Sequence, residues 1–124
     1  FHFLETLVAA GCSHIVEANF YPADAARFLS IKTEYPFQAF QIYCRAREDV
    51  IWERFKERAE SGQRHPGHVD DQSYAEFATA RWEARIPVLD IGDQVYDLDT
   101  TDFSIMDYNR LISALESARR STDG

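Results

Sequence analysis

The chain has 124 residues, of which 45% are hydrophobic and 14% aromatic, enough for one modest core and too few for two ordinary domains. Its formal net charge of −8 at pH 7 disfavours nucleic acid and anionic membranes as partners, so an anionic ligand must be held by a local group of cations. Within the 124 residues we see no signal-peptide pattern, and no apolar run approaches the roughly 20 residues of a membrane span. We therefore expect a single soluble, cytoplasmic domain over residues 1–124, with Cys12 and Cys44 as buried free thiols.

The first segment already has helical periodicity, although the chain does not begin with methionine. FHFLETLVAAG places Phe1, Leu4, Leu7 and Val8 on one stripe and ends at Gly11. This pattern predicts a helix that lies inside a longer protein. We therefore expect the chain to be part of a larger domain.

Two apolar runs then flank an amphipathic stretch. HIVEANF predicts a buried strand over residues 14–18 that ends near Glu17 and Asn19, and AFQIYC predicts another strand over residues 39–44. The segment between them predicts a helix, which makes a βαβ unit with parallel strands. The inward stripe of this helix consists of Ala25, Phe28, Leu29 and Ile31.

The second half of the chain continues the alternation. REDVIWERFKERAES predicts a helix, and the breaker-rich segment SGQRHPGHVDD ends it in a loop that we interpret as a lid at about 62–72. SYAEFATARWEAR resumes helical periodicity, and QVYDLD predicts a strand over residues 94–99. A closing helix should follow from Phe103 to about Arg119, with Ile105, Tyr108, Ile112 and Leu115 on its apolar face. This order predicts a layered α/β fold with a thin parallel sheet and helices on both faces.

Arginines are concentrated around the predicted lid. Arg54 and Arg58 are one helical turn apart, at the border between the apolar face of their helix and solvent. Arg64 lies in the loop, and Arg81 extends the apolar stripe of the following helix. A guanidinium offers a planar donor fork for a phosphate and a flat face for a purine. The alternative is that these side chains are solvated charges paired with glutamates of the same helices.

Polar residues near the predicted strand 14–18 and in the lid are further candidates. Glu17 could order a magnesium ion through water or accept a proton from a substrate hydroxyl, or it could cap a neighbouring helix. Asn19 could bind substrate or shape a turn. His65 and His68 have no cysteine nearby and too few companions for a structural zinc site, so we predict contacts with phosphate, substrate or solvent and no metal site.

The predicted strand 94–99 ends in a third group of polar residues. Asp99, Thr100 and Thr101 could contact a base or a ribose there. Asp99 could instead form the N-cap of the last helix, because a carboxylate at that position accepts a hydrogen bond from a free backbone N–H.

HIVEANF, WERFKER, GQRHPGH and YDLDTT, in this order, resemble the C-terminal portion of small P-loop kinases of the AAA-33 type. These are adenylate-kinase-like and zeta-toxin-like phosphotransferases that act on nucleosides or other small molecules. The resemblance covers essentially the whole chain. It implies ATP and Mg²⁺ as cofactors and a small-molecule phosphate acceptor as the second substrate.

The resemblance also implies roles for individual residues. It gives Glu17 a role toward magnesium or substrate, with Asn19 nearby, and it implies that Arg54 stacks on adenine. The resemblance implies that Arg58, Arg64 and Arg81 contact the transferred phosphates. It also implies that Asp99, Thr100 and Thr101 lie beside the adenine.

The phosphate-binding motif GxxxxGK[ST] occurs nowhere in the 124 residues. The resemblance therefore implies a kinase fragment that does not transfer a phosphoryl group by itself. Two alternatives stay open. The chain could be a non-catalytic module that binds a nucleotide or phosphorylated metabolite through its arginines. It could also be an oligomerising domain whose exposed sheet pairs with a second copy or with a missing N-terminal half.

Overall fold

The computed structural model describes residues 1–61, 87–92 and 94–121. In these residues two strands form one parallel sheet, which confirms the predicted α/β class. A three-residue 3-10 helix, Phe103–Ile105, follows the second strand. Within the described residues, the strands are β1 (Phe40–Arg45) and β2 (Gln94–Asp99), and the helices are α1 (His2–Ala9), α2 (Asp24–Glu34), α3 (Glu48–Glu60) and α4 (Tyr108–Arg120).

Two of the three predicted strands are confirmed. β1 and β2 coincide with the apolar runs predicted at 39–44 and 94–99, and the rings of Phe40 and Tyr96 lie 6.3 Å apart between their centroids. The strand predicted at 14–18 is wrong, because residues 12–21 form neither helix nor strand. An apolar run becomes a strand only when a neighbouring strand satisfies its backbone groups. The side chain of Ile15 is 93% exposed, so this run is not buried either.

The chain divides into two compact units. Unit 1 contains residues 1–43, 86–97 and 107–124, and unit 2 contains residues 44–85 and 98–106. The last residues of β1 and of β2 thus belong to unit 2. The predicted lid lies outside the described residues, and the prediction of a single domain stays a prediction.

The hydrophobic core of unit 1 gathers residues that are distant in sequence. Leu89 and Ile91 pack with side chains of α1 and α2. Gln41 links β1 to this segment, because its amide donates to the Leu89 carbonyl at 3.0 Å and accepts from the Leu89 N–H at 3.2 Å. The Lys32 ammonium donates to the Ile91 carbonyl at 3.3 Å. The buried members of the cluster are Leu4, Phe28, Ile31, Leu89 and Ile91.

Helix α1 ends as its sequence predicts. Gly11 has a φ of +68°, a left-handed conformation that glycine adopts without steric penalty. The Gly11 N–H donates to the Val8 carbonyl and the Cys12 N–H to the Leu7 carbonyl, each at 2.9 Å. This pair of bonds is a Schellman motif, which satisfies the last carbonyls of the helix.

The predicted closing helix is divided into two elements. Asp102 accepts a hydrogen bond from the Ser104 N–H and starts the 3-10 helix, and Asp107 accepts one from the Arg110 N–H and starts α4. Aspartate at an N-cap begins a new helix, so the two caps interrupt the continuous periodicity that was predicted from Phe103 onward. The predicted apolar face is also wrong, since Ile105 is 80% exposed and Ala118 is the buried residue of α4.

The fold also tests the expected burial of the two cysteines. Cys12 and Cys44 form no disulfide, but both are exposed, so the prediction of buried thiols is wrong. An apolar neighbourhood in sequence does not ensure burial, because Cys12 follows the end of α1 and Cys44 lies in a two-stranded sheet.

None of the helices in the described part of the chain combines the length and the apolar content that crossing a membrane requires.

The stripe predicted for α2 gives a test of which residues form the core. Ile31 is 2% exposed, whereas Leu29 is 44% exposed. We expect Ile31→Ala to lower the free energy of unfolding by about 2–5 kcal/mol, because it leaves a cavity in the core. Leu29→Ala, the matched control on the same helix, should cost less than about 1 kcal/mol. Urea denaturation measures both, and equal losses in the two variants would contradict the assigned core.

Candidate functional site

The candidate site lies in unit 2, where the turn after β2 is bonded to the end of β1. The Arg45 carbonyl accepts two hydrogen bonds from Thr100, one from its N–H at 2.6 Å and one from its hydroxyl at 3.0 Å. The Arg47 N–H donates to the Thr101 hydroxyl oxygen at 3.0 Å. The two threonines thus fix the turn against the connection from β1 to α3. Open α/β sheets bind their ligands outside the carboxyl ends of their strands, which is where this turn lies.

Asp99 ties the same turn to β1 through both oxygens of its carboxylate. One oxygen accepts from the Arg45 guanidinium at 2.7 Å, and the other accepts from the Thr101 N–H at 2.9 Å. Hydrogen bonds from Thr101, and then the nearby positive charge of Arg45, lower the pKa of Asp99. Asp99 does not cap the last helix, because Asp107 does so. The N-cap alternative for Asp99 is therefore wrong.

Arg54 reaches this turn from the middle of α3. One of its terminal nitrogens donates to the Thr101 carbonyl at 3.1 Å, and the centre of its guanidinium lies 4.2 Å from the centroid of the Phe103 ring. The adjacent side chain, Phe55, is only 7% exposed and anchors the helix in its unit. Arg54 itself is half-buried, so its aliphatic stem packs while its charged end reaches the turn.

The structure thus brings together part of the predicted set. Arg54, Asp99, Thr100 and Thr101, all predicted to face the nucleotide, form one hydrogen-bonded group. Arg58, one turn along α3, is exposed and donates to the Arg54 carbonyl of its own helix at 3.2 Å. The binding roles of these residues stay predictions.

Glu17 and Asn19 belong to unit 1 and are exposed. Asn19 lines a groove of about 380 Å³ whose other walls are mostly apolar. Their predicted roles toward magnesium and substrate stay predictions. In residues 1–61, 87–92 and 94–121, no three His, Cys, Asp or Glu side chains are grouped as metal ligands. Four predicted site residues lie outside the described residues: Arg64, His65, His68 and Arg81.

Phe103 and Arg47 are contributors that the sequence did not indicate. Phe103 was predicted to begin an amphipathic helix, but its ring is 56% exposed and lies against Arg54. The pattern TDFS, in which Asp102 accepts from both the N–H and the hydroxyl of Ser104, is a sequence signal for a cap and could have placed Phe103 on a turn.

Charged groups surround the turn in pairs. The Arg47 guanidinium donates to both oxygens of Asp49, at 3.1 and 2.9 Å, which lowers the pKa of Asp49 and raises that of Arg47. Hydrogen bonds from Ser104, and then the positive charge of Arg54, lower the pKa of Asp102. Arg47, Asp49 and Asp102 are exposed, so these interactions contribute little to stability on their own. Their main effect is to hold side chains in place.

Known proteins include a solved structure that is similar to this chain. No family model matches the chain, and no curated protein matches it. Among solved structures it is similar to the crystal structure of a protein from Chloroflexus aurantiacus J-10-fl described as a "putative kinase", with a TM-score of 0.81 and 36% sequence identity. The match covers 94% of this chain and 64% of that chain. The chain is therefore similar in sequence and fold to that protein and spans 64% of its length.

The bonds of Asp99 predict a pH-dependent contribution to stability. Because folding lowers the pKa of Asp99, its contribution is present above the ordinary carboxylate value of about 3.9 and is lost as the pH falls through the folded-state value. We expect Asp99→Asn to be less stable than the wild type near neutral pH, and the difference to shrink as the pH falls toward about 3.

Chemical denaturation at a series of pH values measures this difference. Asp90→Asn is the matched control, because it removes the same charge from an exposed residue outside the site. A difference between Asp99→Asn and the wild type that stays constant down to pH ~3 would show that the carboxylate makes no charge-dependent bond in the folded protein.

Proposed function

We propose that the chain is the nucleobase and lid portion of an ATP-dependent P-loop phosphotransferase that acts on a nucleoside or another small molecule. The observation that carries this proposal is the position of the Arg54 guanidinium on the turn after β2, where it contacts Thr101 and Phe103. The similarity to the Chloroflexus protein supports a kinase-like function in general. The order of the four motifs supports the assignment to P-loop kinases.

The turn has the chemistry that adenine recognition requires. A guanidinium is planar and weakly hydrated, so it can stack on a purine at little cost in desolvation. The Thr101 carbonyl lies 3.1 Å from the same guanidinium and retains a second lone pair. That lone pair can accept a hydrogen bond from the exocyclic amino group of adenine. Asp99 and the threonines keep the carbonyl in position through their bonds to Arg45 and Arg47.

The phosphate side of the proposal rests on the lid residues. Arg58, Arg64 and Arg81 would converge on the phosphates when the lid closes, with His65 and His68 beside them. Mg²⁺ would neutralise the phosphates with help from Glu17, and Asn19 would contact the phosphate acceptor. Because the chain contains no GxxxxGK[ST] motif, we propose that it binds nucleotide without turning it over.

The first test separates the base from the phosphates. Arg54→Ala should weaken the binding of adenosine and of ATP by the same factor, about 2- to 30-fold, because the stacking contact is with the base in both ligands. Titration followed by NMR gives both affinities. Arg110→Ala removes the same charge from an exposed residue of α4 and should leave both unchanged. An Arg54→Ala variant that binds adenosine as well as the wild type does would contradict the proposed base site.

The second test concerns the lid. Arg64→Ala and Arg81→Ala should weaken ATP binding and leave adenosine binding unchanged, because only ATP carries the phosphates that they contact. The loss should decrease as the salt concentration rises. Arg64→Lys should recover only part of the loss, since a lysine restores the charge without the planar fork. Equal affinities for ATP in all these proteins would indicate that the arginines are ordinary surface charges.

Self-association is a second candidate function, and the exposed apolar surface of unit 1 favours it. Phe3 is 75% exposed and Ile15 is 93% exposed, and both line the groove that also contains Asn19. Contiguous apolar surface of this kind is often covered by another chain. Sedimentation analysis across micromolar concentrations should then detect a dimer, and Ile15→Asp should shift it toward monomer. A monomer at every concentration would exclude this function.

A further inference from the structure

The ring of Phe103 lies on one face of the Arg54 guanidinium. The distance from the guanidinium carbon to the ring centroid is 4.2 Å, which is the separation of two groups in direct contact. No base fits between them at this distance, because a base stacked on both would need two contacts of about 3.5–4 Å each. The ring therefore occupies a surface on which a base would stack.

The surrounding hydrogen bonds hold the backbone of the turn and do not involve the Phe103 ring. Thr101 is fixed by Asp99, Arg47 and Arg54, and the Asp102 carboxylate accepts from the N–H and the hydroxyl of Ser104 at 2.8 and 2.7 Å. The Phe103 side chain is 56% exposed, so rotation about its own bonds takes it into solvent without moving the turn. Rotamer changes of exposed side chains take picoseconds to nanoseconds.

We propose that Phe103 is an internal competitor of the nucleobase, which covers the stacking face of Arg54 in the free protein and leaves it when a nucleotide binds. This inference rests on the proposed function and adds a residue that sets nucleotide affinity. The contact explains why an aromatic side chain remains half exposed on a turn of otherwise polar residues. The contact keeps the guanidinium oriented toward the turn. It also lowers the affinity for the base, because the contact must be broken before the base can stack there.

The sign of the effect distinguishes a competitor from a residue that helps to bind the base. A cation–π contact at an exposed site is worth a factor of about two to five in an equilibrium constant. Phe103→Ala and Phe103→Leu should therefore bind ADP about two- to fivefold more tightly than the wild type. Two variants are used because leucine keeps apolar bulk on the turn without an aromatic face.

Isothermal titration of the full chain with ADP measures these affinities, and circular dichroism confirms that each variant is folded. Ile105→Ala is the matched control, because Ile105 lies on the same 3-10 helix and is 80% exposed. Its affinity should equal that of the wild type. Unchanged or weaker ADP binding by both Phe103 variants would overturn the proposal. If no protein in the series binds ADP, the proposed function itself fails, and the competitor role fails with it.

A spectroscopic measurement tests the motion directly. With 4-fluorophenylalanine in place of the nine phenylalanines, the resonance of residue 103 is identified by its loss in Phe103→Leu. ADP should shift this resonance toward its position in ligand-free Arg54→Ala, since the ring has lost the guanidinium in both cases. A resonance that stays in place at saturating ADP would show that the ring does not leave, and the proposal would be wrong.

Discussion

The two hydrogen bonds that Thr100 donates to the Arg45 carbonyl are the constraint on which the candidate site depends. They hold the end of β2 against the end of β1, where Asp99 and Thr101 make their own contacts with Arg45 and Arg47. Asp99 then reaches the Arg45 guanidinium, and the Thr101 carbonyl faces α3 at the distance that Arg54 spans. The turn is therefore a rigid support for one guanidinium group.

The partners of the arginines explain why Arg54 is the residue suited to a ligand. Arg45 and Arg47 each pair with a carboxylate, of Asp99 and Asp49 respectively, and those pairs are structural. Arg54 instead donates to a neutral carbonyl and lies against an aromatic ring, both of which a purine can replace or share. In a chain with a net charge of −8, an arginine with a neutral hydrogen-bond partner provides a local positive charge for an anionic ligand.

Sequence patterns predicted the elements that depend on residues close together in the chain. β1 and β2 are apolar runs between amphipathic helices, and the end of α1 follows from a single glycine. The run at 14–18 failed because apolar character cannot specify whether a partner strand exists. Of the site, residue chemistry, the strand-end position and the family resemblance all predicted that Arg54 and the threonines lie near a nucleotide. The cap at Asp102 could have placed Phe103 on a turn, but the contact of its ring with Arg54 could not be predicted, because it joins residues 49 positions apart in the chain.

A crystal structure of the chain with ADP tests the central claim most directly. The account predicts that the purine lies parallel to the Arg54 guanidinium at van der Waals distance, with its amino group on the Thr101 carbonyl and the Phe103 ring turned away. A bound nucleotide that leaves Arg54 stacked on Phe103, with its base elsewhere on the molecule, would contradict the account.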